Sequence, residues 1–197
     1  MTRIKLVSRP ADFPGTPDEE TGKNIQELFQ RIARMYGREE LEIPGSGAAF
    51  AAVAQNPKLA LKLLDLSDYI LFEMPWTSQR KYLKQLAIQA LNLHFGCDNS
   101  FQSHIGSAQR DGVSLEKMTL IPFWKTANVF DDEERLVIEF TMAVVTGTVP
   151  EELFSRVVEQ YGETEAIELS IAIGWWSLWA MMINATGIEF DYGYGKK

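Results

Sequence analysis

The chain has 197 residues, of which 46% are hydrophobic and 23% charged, so it can bury a core of its own and has the composition of a soluble globular protein. Its net charge of -8 and isoelectric point near 4.9 argue against a nucleic-acid groove or an anionic lipid surface as the partner. One cysteine permits no internal disulfide, and the N-terminus carries no apolar run of the secretory type. We therefore expect a cytoplasmic protein that binds neither nucleic acid nor membranes.

Residues 1–20 contain three prolines and no helical period, which predicts an extended N-terminal arm. Residues 21–190 are expected to form a single all-α domain, because apolar side chains recur there at helical spacing. Residues 191–197 are expected to be a C-terminal tail. The predicted helices cover, in chain order, 23–37, a short segment around 50–53, 58–73, 78–95, 97–111, 114–124, 131–144, 148–161 and a last apolar segment that ends at 184. The expected fold is a compact bundle of about eight helices.

Several predicted helices carry a recognisable end signal. Asp131 and Glu134 have the spacing of a capping box, and Ser114 is a suitable N-cap for the short helix after it. Thr77 is predicted as the N-cap of the helix that begins at 78. Gly162 is predicted to end the helix that precedes it.

The segment 166–188 is the stretch of the chain that most resembles a membrane span. It carries the polar residues Glu168 and Asn184, and Gly174 lies in its middle. These residues favour a helix buried in the core or in a subunit interface over one that spans a membrane. Its three tryptophans fit the same interpretation, and they leave open an aromatic-lined ligand pocket.

Cys97 and His104 are the residues on which proton-transfer or thiol chemistry would depend. They are seven residues apart, so a helix that begins near Asp98 places them on one face. At the positive end of that helix the pKa of the Cys97 thiol would be depressed. Ser100 lies four residues before His104, close enough for a contact between hydroxyl and imidazole. A buried structural cysteine and a histidine paired with a backbone carbonyl are the alternative.

Two other kinds of site receive little support. His94, Cys97 and His104 supply at most three metal ligands, and no second cluster completes a site, so we expect no metal. Ser100 lacks the glycine pattern that surrounds the nucleophile of a serine hydrolase. No cofactor is expected either.

Residues 85–117 resemble the core of the carboxymuconolactone decarboxylase and alkyl-hydroperoxidase D-like superfamily. The resemblance consists of a long apolar helix, Gly96-Cys97, a histidine seven residues later and Asp111-Gly112 before the next short helix. It extends over 50–64 and 149–188, and so over most of residues 45–190. It implies an alkyl-hydroperoxidase D-like fold and assembly into a homo-oligomer, a trimer or a hexamer.

The chain departs from the peroxidase branch of that superfamily at three positions. Ser100 stands at the second cysteine of its Cys-x-x-Cys motif, and Gln85 stands at its proton-relay glutamate. Asn99 stands where some peroxidases have a histidine. A hydroxyl cannot resolve a sulfenate as a disulfide, and an amide cannot accept a proton as a carboxylate does. We therefore do not expect dithiol peroxidase chemistry.

The resemblance to the decarboxylase branch implies a cofactor-free lyase that acts on a small, aromatic-derived carbonyl or carboxylate compound. In that function His104 would be the general acid/base, and Cys97 would be the second candidate catalytic residue. The residues implied to bind the substrate are Gln85, Asn99, Ser100 and Phe101. Two alternatives stay open: a thiol-dependent antioxidant protein that uses Cys97, and a non-catalytic ligand-binding or assembly member of the fold.

Overall fold

The computed structural model describes residues 2–192, and over these residues the chain is all-α, with nine α-helices and no β-strand. The predicted fold class is confirmed. The helices are α1 (Glu19–Met35), α2 (Ala48–Val53), α3 (Pro57–Asp68), α4 (Pro75–Gln79), α5 (Lys81–Phe95), α6 (Asp98–Arg110), α7 (Leu115–Leu120), α8 (Asp132–Thr146) and α9 (Glu151–Thr186). Of the predicted tail, 193–197 lie outside the described residues.

The chain divides into two compact units. The first consists of Met1–Asp68 together with Ile183–Lys197, and the second is Tyr69–Met182. The expected single domain over 21–190 is a coarser description, and it stays a prediction. All of the predicted site residues belong to the second unit.

The first unit is built on α1 and α3, which pack against each other. Asp18 caps α1 by accepting a hydrogen bond from the Thr21 backbone N–H. Since α1 begins at Glu19, the last two residues of the predicted arm, Glu19 and Glu20, belong to this helix. The arm itself is attached to this unit: Val7 is fully buried, and its N–H donates to the Ala51 carbonyl at 2.9 Å. A single 3₁₀ turn, Pro10–Asp12, interrupts its extended course.

In the second unit α5 is the central helix, packed against both α6 and α8. Its side chains Leu86, Ile88 and Leu91 are fully buried. Gly96 ends α5 with a φ of 59°, in the left-handed region that glycine adopts without strain. The chain reverses there, which brings the start of α6 close to the end of α5.

The helix ends follow the sequence signals in most places. Asp131 and Glu134 form the predicted capping box of α8, and Ser114 accepts the Lys117 N–H as predicted. The prediction for Thr77 is wrong, because α4 begins at Pro75 and already contains Thr77. Proline suits the first turn of a helix since the missing N–H would have no partner there. The Thr77 hydroxyl is buried and donates to the Met74 carbonyl at 3.0 Å.

Gly162 divides α9 into two helical segments. Its φ of 81° and ψ of 164° are not helical, so the continuous helix from Glu151 to Thr186 is in fact broken where the sequence predicts. After the break, Trp175, Trp176 and Trp179 are buried. The rings of Trp175 and Trp179 meet edge to face, with centroids 5.6 Å apart.

One side of α9 after Gly162 exposes an apolar stripe. The large exposed side chains on it are Ile167, Ile171, Leu178 and Met181. Among the residues that the structure describes, α9 is the one helix whose length and composition would suffice to cross a membrane. Its most apolar window is 56% buried inside the protein, and the core helix of a soluble protein passes the same test.

Candidate functional site

The predicted site residues lie at the contact between α5 and α6. Gln85 belongs to α5, Cys97 is the N-cap of α6, and the remaining four are in the first two turns of α6. Four of the six are buried, namely Gln85, Cys97, Asn99 and Ser100. Phe101 is partly exposed, and so is His104 apart from its Nδ1 atom, which is sealed from solvent. Gln85 therefore lies on one helix, and the other five residues lie at the start of α6, the helix that packs against it.

Cys97 is a free, buried thiol that is 1% exposed. Burial raises its pKa, the backbone of Ser100 opposes that effect, and the charge of Asp98 adds to it. The expected depression of the pKa by the helix terminus is therefore wrong: loss of hydration outweighs the helix dipole at this position. A thiol of this kind is a weak nucleophile at neutral pH, because the nucleophile is the thiolate.

His104 is held in its neutral form. Burial lowers its pKa to about 4, and the positive charge of Lys84 contributes to this shift. The Nδ1 atom is sealed from solvent and has no hydrogen-bond partner among the described residues. The expected contact with the Ser100 hydroxyl is not formed within residues 2–192. His104 is thus an unpaired imidazole that can accept a proton.

Gln85 connects the two helices through one end of its amide. Its Nε2 donates to Oδ2 of Asp111, the C-cap residue of α6, at 2.8 Å. Its Oε1 is buried and has no partner among the described residues. Gln85 therefore presents an unused acceptor at the contact between α5 and α6.

Two further polar residues of α5 extend the same row and were missed by the sequence analysis. Gln89 and Asn92 follow Gln85 by four and seven residues, so the three lie on one face of the helix. Gln89 donates from Nε2 to the Phe101 carbonyl at 3.2 Å, while its Oε1 has no partner in the described structure. Both amide atoms of Asn92 are sealed without a partner there. Polar residues at helical spacing in an otherwise apolar helix were the signal.

Together these residues form a cluster of unpaired polar atoms. Arg80 and Glu165 form an ion pair with each other at 2.6 Å. Apart from that pair, seven buried side-chain atoms have no partner in the described part of the chain, and six of the seven belong to α5 and α6. The residues that carry them, called the polar cluster below, are Gln85, Gln89, Asn92, Ser103 and His104. Each unpaired buried atom costs about 1–3 kcal/mol, so such a concentration is typical of a site that a ligand or bound water completes.

Lys84 is a third residue that the sequence analysis missed. It is 7% exposed, and within residues 2–192 its side chain makes neither a hydrogen bond nor an ion pair. Burial lowers the pKa of its ammonium group, the charge of Asp111 counteracts this, and the charge of Lys81 reinforces it. The charge of Lys84 also contributes to the lowered pKa of His104.

A second buried network, at α5, α7 and α8, has its partners already. Glu134 is 2% exposed and forms an ion pair with Lys117. Tyr82 donates to Glu134 and accepts from Lys117 at 2.9 Å. The charged atoms are satisfied by one another, so this network is structural.

No group of three His, Cys, Asp or Glu side chains that could hold a metal ion occurs among residues 2–192. Comparison with protein-family models gives no match, and no solved structure matches the chain. A stretch of 95 residues is 24% identical to the uncharacterized protein YdfG of Bacillus subtilis (strain 168). That similarity covers 47% of this chain and 65% of the relative, less than two thirds of its length. The superfamily resemblance of residues 85–117 stays a prediction.

Proposed function

We propose that this chain is a cofactor-free lyase in which His104 moves a proton during cleavage of a C–C bond. The proposed substrate is a small, aromatic-derived carbonyl or carboxylate compound. The observation that supports the proposal is the polar cluster, which includes the unpaired Nδ1 of His104 on α6 and unused acceptors on α5, the helix that packs against it. The resemblance of residues 85–117 to the decarboxylase branch points the same way.

The protonation state of His104 determines its first step. With a pKa of about 4 the imidazole is neutral at pH 7, so it acts first as a base. It takes the proton of a substrate hydroxyl, and the electron pair left on oxygen forms a carbonyl as the adjacent C–C bond breaks. The electrons of that bond pass to the departing fragment as an enolate, and the imidazolium returns the proton to its carbon.

The neighbouring residues have supporting roles in this proposal. The free Oε1 of Gln85 accepts a hydrogen bond from the substrate, since its Nε2 is occupied by Asp111. Asn99 and Ser100 are buried at the start of α6 and provide further polar contacts. Cys97 contributes a wall of the pocket, because its raised pKa disfavours the thiolate.

The assembly and location proposed for the protein follow from the same interpretation. We propose a cytoplasmic homo-oligomer, a trimer or a hexamer, that takes part in the breakdown of aromatic compounds. The apolar stripe on α9 is the surface that supports oligomer formation, since an exposed row of large apolar side chains is costly in water.

The two alternatives differ from the lyase in what they require of this site. A thiol-dependent antioxidant protein needs a reactive thiolate at Cys97, and burial at this position opposes it. A non-catalytic ligand-binding protein needs only the polar cluster. Measurable turnover of a substrate therefore distinguishes the lyase from the non-catalytic ligand-binding protein. Loss of activity on replacing Cys97 distinguishes the antioxidant protein from the lyase.

The experiment is a screen of hydroxylated aromatic acids, ketones and aldehydes, in which NMR in D₂O detects both product release and deuterium incorporation at carbon. With an active compound, His104→Gln should lower kcat by about 10²–10⁴-fold, the usual contribution of an acid/base group. His94→Gln is the matched control because His94 is exposed at the end of α5. Cys97→Ser should keep at least about a third of the wild-type rate, a change well below that of losing a catalytic group.

Three results would overturn the proposal. An active compound whose turnover is unchanged in His104→Gln removes the imidazole from the mechanism. Loss of turnover in Cys97→Ser, with trapping of a sulfenic acid by dimedone under peroxide, supports the antioxidant alternative. Binding of several compounds without product release or deuterium incorporation supports the non-catalytic alternative.

A further inference from the structure

We infer that the apolar stripe on α9 is the contact surface for a second copy of this chain, and that the two helices pack antiparallel around a two-fold axis at Gly174. This inference rests on the homo-oligomer of the proposed function, and it adds the partner and the direction of the contact. It does not depend on the lyase activity. A two-fold contact occurs in a dimer and in a hexamer made of two trimers, but not within a single trimer.

The spacing of the stripe is that of a helix pair. Its exposed positions follow one another at intervals of four, three, four and three residues, namely Ile167, Ile171, Gly174, Leu178 and Met181. Alternating intervals of four and three make the seven-residue repeat with which one helix packs along another. The large side chains at these positions are between 40% and 58% exposed. The opposite side of the same helix is buried in the protein, so the stripe has the form of one half of a helix–helix contact.

The stripe is nearly symmetric about Gly174. Ile167 lies seven residues before this glycine and Met181 lies seven residues after it, while Ile171 and Leu178 lie three before and four after. In an antiparallel pair centred on Gly174, Ile167 therefore faces Met181 of the partner subunit, and Ile171 faces Leu178 of the partner subunit. Large side chains meet large ones throughout. Such a surface fits a second copy of the same chain, because a two-fold interface uses one patch on both subunits.

The charges along α9 favour the antiparallel direction. Glu159 and Glu163 are exposed just before the stripe, whereas residues 169–186 carry no charge at all. A parallel pair would bring the acidic ends of two copies together, and like charges repel. An antiparallel pair places the acidic end of one helix beside the uncharged end of the other. It also brings opposite ends of the two helix dipoles together, which is favourable.

The area of the stripe is in the range that a small dimer interface needs. Its four large side chains are about half exposed and leave roughly 400 Å² of apolar surface in water on each copy, a patch of the size that is often functional. Pairing two copies would bury roughly 800 Å² from these side chains alone. The polar residues beside them bring the total towards the roughly 1,200 Å² at which specific interfaces begin.

The first test is analytical ultracentrifugation of the full chain at pH 7, in which we expect an even number of copies. Ile171→Glu and Leu178→Glu should each raise the dissociation constant of the two-fold contact at least about 30-fold, the effect of losing a hot-spot residue, because each would bury an unpaired carboxylate. Phe123→Glu is the matched control, since Phe123 is 62% exposed outside the stripe. Circular dichroism verifies that all three variants keep their helices.

The second test measures the direction of the contact by disulfide crosslinking. Ile167→Cys and Met181→Cys are prepared separately and oxidised with copper phenanthroline, each alone and then as an equimolar mixture. In the antiparallel pair the two copies of position 167 are about 21 Å apart along the helix axis, too far for a disulfide, so neither variant should crosslink with itself. The mixture should crosslink. The wild type is the control for Cys97, which is 1% exposed.

The inference is overturned if the wild type is a monomer or a single trimer, or if both glutamate variants keep the wild-type mass. It is equally overturned if either cysteine variant crosslinks with itself, or if the mixture does not crosslink. A monomeric wild type that binds vesicles of neutral phosphatidylcholine would assign the stripe to a membrane surface instead. None of these measurements uses a substrate, so their failure leaves the lyase proposal intact, and paired but inactive protein supports this inference alone.

Discussion

Gln85 donates a hydrogen bond of 2.8 Å to Asp111, and this bond determines which end of the amide is left unpaired between α5 and α6. The donor end is used within the protein, so the acceptor Oε1 remains. Asn92, two turns further along α5, differs because both ends of its amide are unpaired. The two side chains have different consequences for stability although both are buried and polar.

Asn92→Leu should make the protein more stable. The substitution removes two sealed polar atoms and keeps a side chain of similar volume, so we expect the free energy of unfolding to rise by about 1–3 kcal/mol. Gln85→Leu is the comparison: it removes one unpaired atom but also loses the bond to Asp111, and its net effect should be within about 1 kcal/mol. Urea denaturation of both variants measures the difference. A destabilised Asn92→Leu would show that this amide has a partner after all.

His104 should make the stability of the protein depend on pH between about 6.5 and 4. Its pKa in the folded state is about 4, below the value of 6.5 for an unperturbed histidine. As the pH falls through this window the unfolded chain gains a proton that the folded chain does not accept, so unfolding becomes more favourable. The loss approaches about 3 kcal/mol near pH 4, at 1.36 kcal/mol for each unit of pKa difference.

The measurement is the free energy of unfolding against pH for the wild type and for His104→Gln. The difference between the two curves should be constant above pH 6.5 and should change progressively below it. His94→Gln serves as the control because the chain has only two histidines and His94 is exposed. Parallel curves for the wild type and His104→Gln would contradict the burial of the imidazole.

Lys117→Met should destabilise the protein strongly. Glu134 is 2% exposed, and the substitution would leave its carboxylate without the ion pair that Lys117 provides. Breaking one partner of a buried pair costs about 3–5 kcal/mol, and the partial exposure of Lys117 places our expectation near about 3 kcal/mol. Removing both charges in Lys117→Met with Glu134→Gln should restore part of this loss. Lys125→Met, at an exposed position, is the control.

Gly162 and Gly174 should respond in opposite directions to replacement by alanine. Gly162 has a φ of 81° and a ψ of 164°, a conformation that is essentially restricted to glycine, so Gly162→Ala should cost about 1–3 kcal/mol. Gly174 is helical, and a Cβ atom there meets nothing within 4 Å, so Gly174→Ala should stabilise by up to about 1 kcal/mol. Thermal unfolding of the two variants at one protein concentration gives the comparison. Equal effects would mean that the break in α9 is not required.

The sequence predicted the helical architecture well because its signals are local. Capping residues such as Ser114 and Asp131 act within one turn of their own helix, and apolar spacing reports which face is buried. The prediction for Thr77 was wrong because the sequence carries two helix-start signals close together, the proline at 75 and the threonine at 77. The helix begins at the first of them, Pro75.

The site was predicted less completely, since its decisive properties come from tertiary packing. The thiol pKa of Cys97 depends on how fully its neighbours exclude water, which outweighs the local helix dipole. Lys84 carries a charge that a single sequence places on the surface by default, and only the structure shows it buried. Asp111 was noted as a boundary residue, whereas its contact with Gln85 joins positions 26 residues apart.

Cys97 gives the protein a built-in reporter of local motion. It is the only cysteine of the chain and is 1% exposed, at the point where α5 turns into α6. A thiol reagent can reach it only when this turn opens, so the rate of modification measures the opening equilibrium rather than global unfolding. Slower modification in the presence of a bound ligand would show that the ligand stabilises the closed turn, and because Cys97 is native, no cysteine has to be engineered for the measurement.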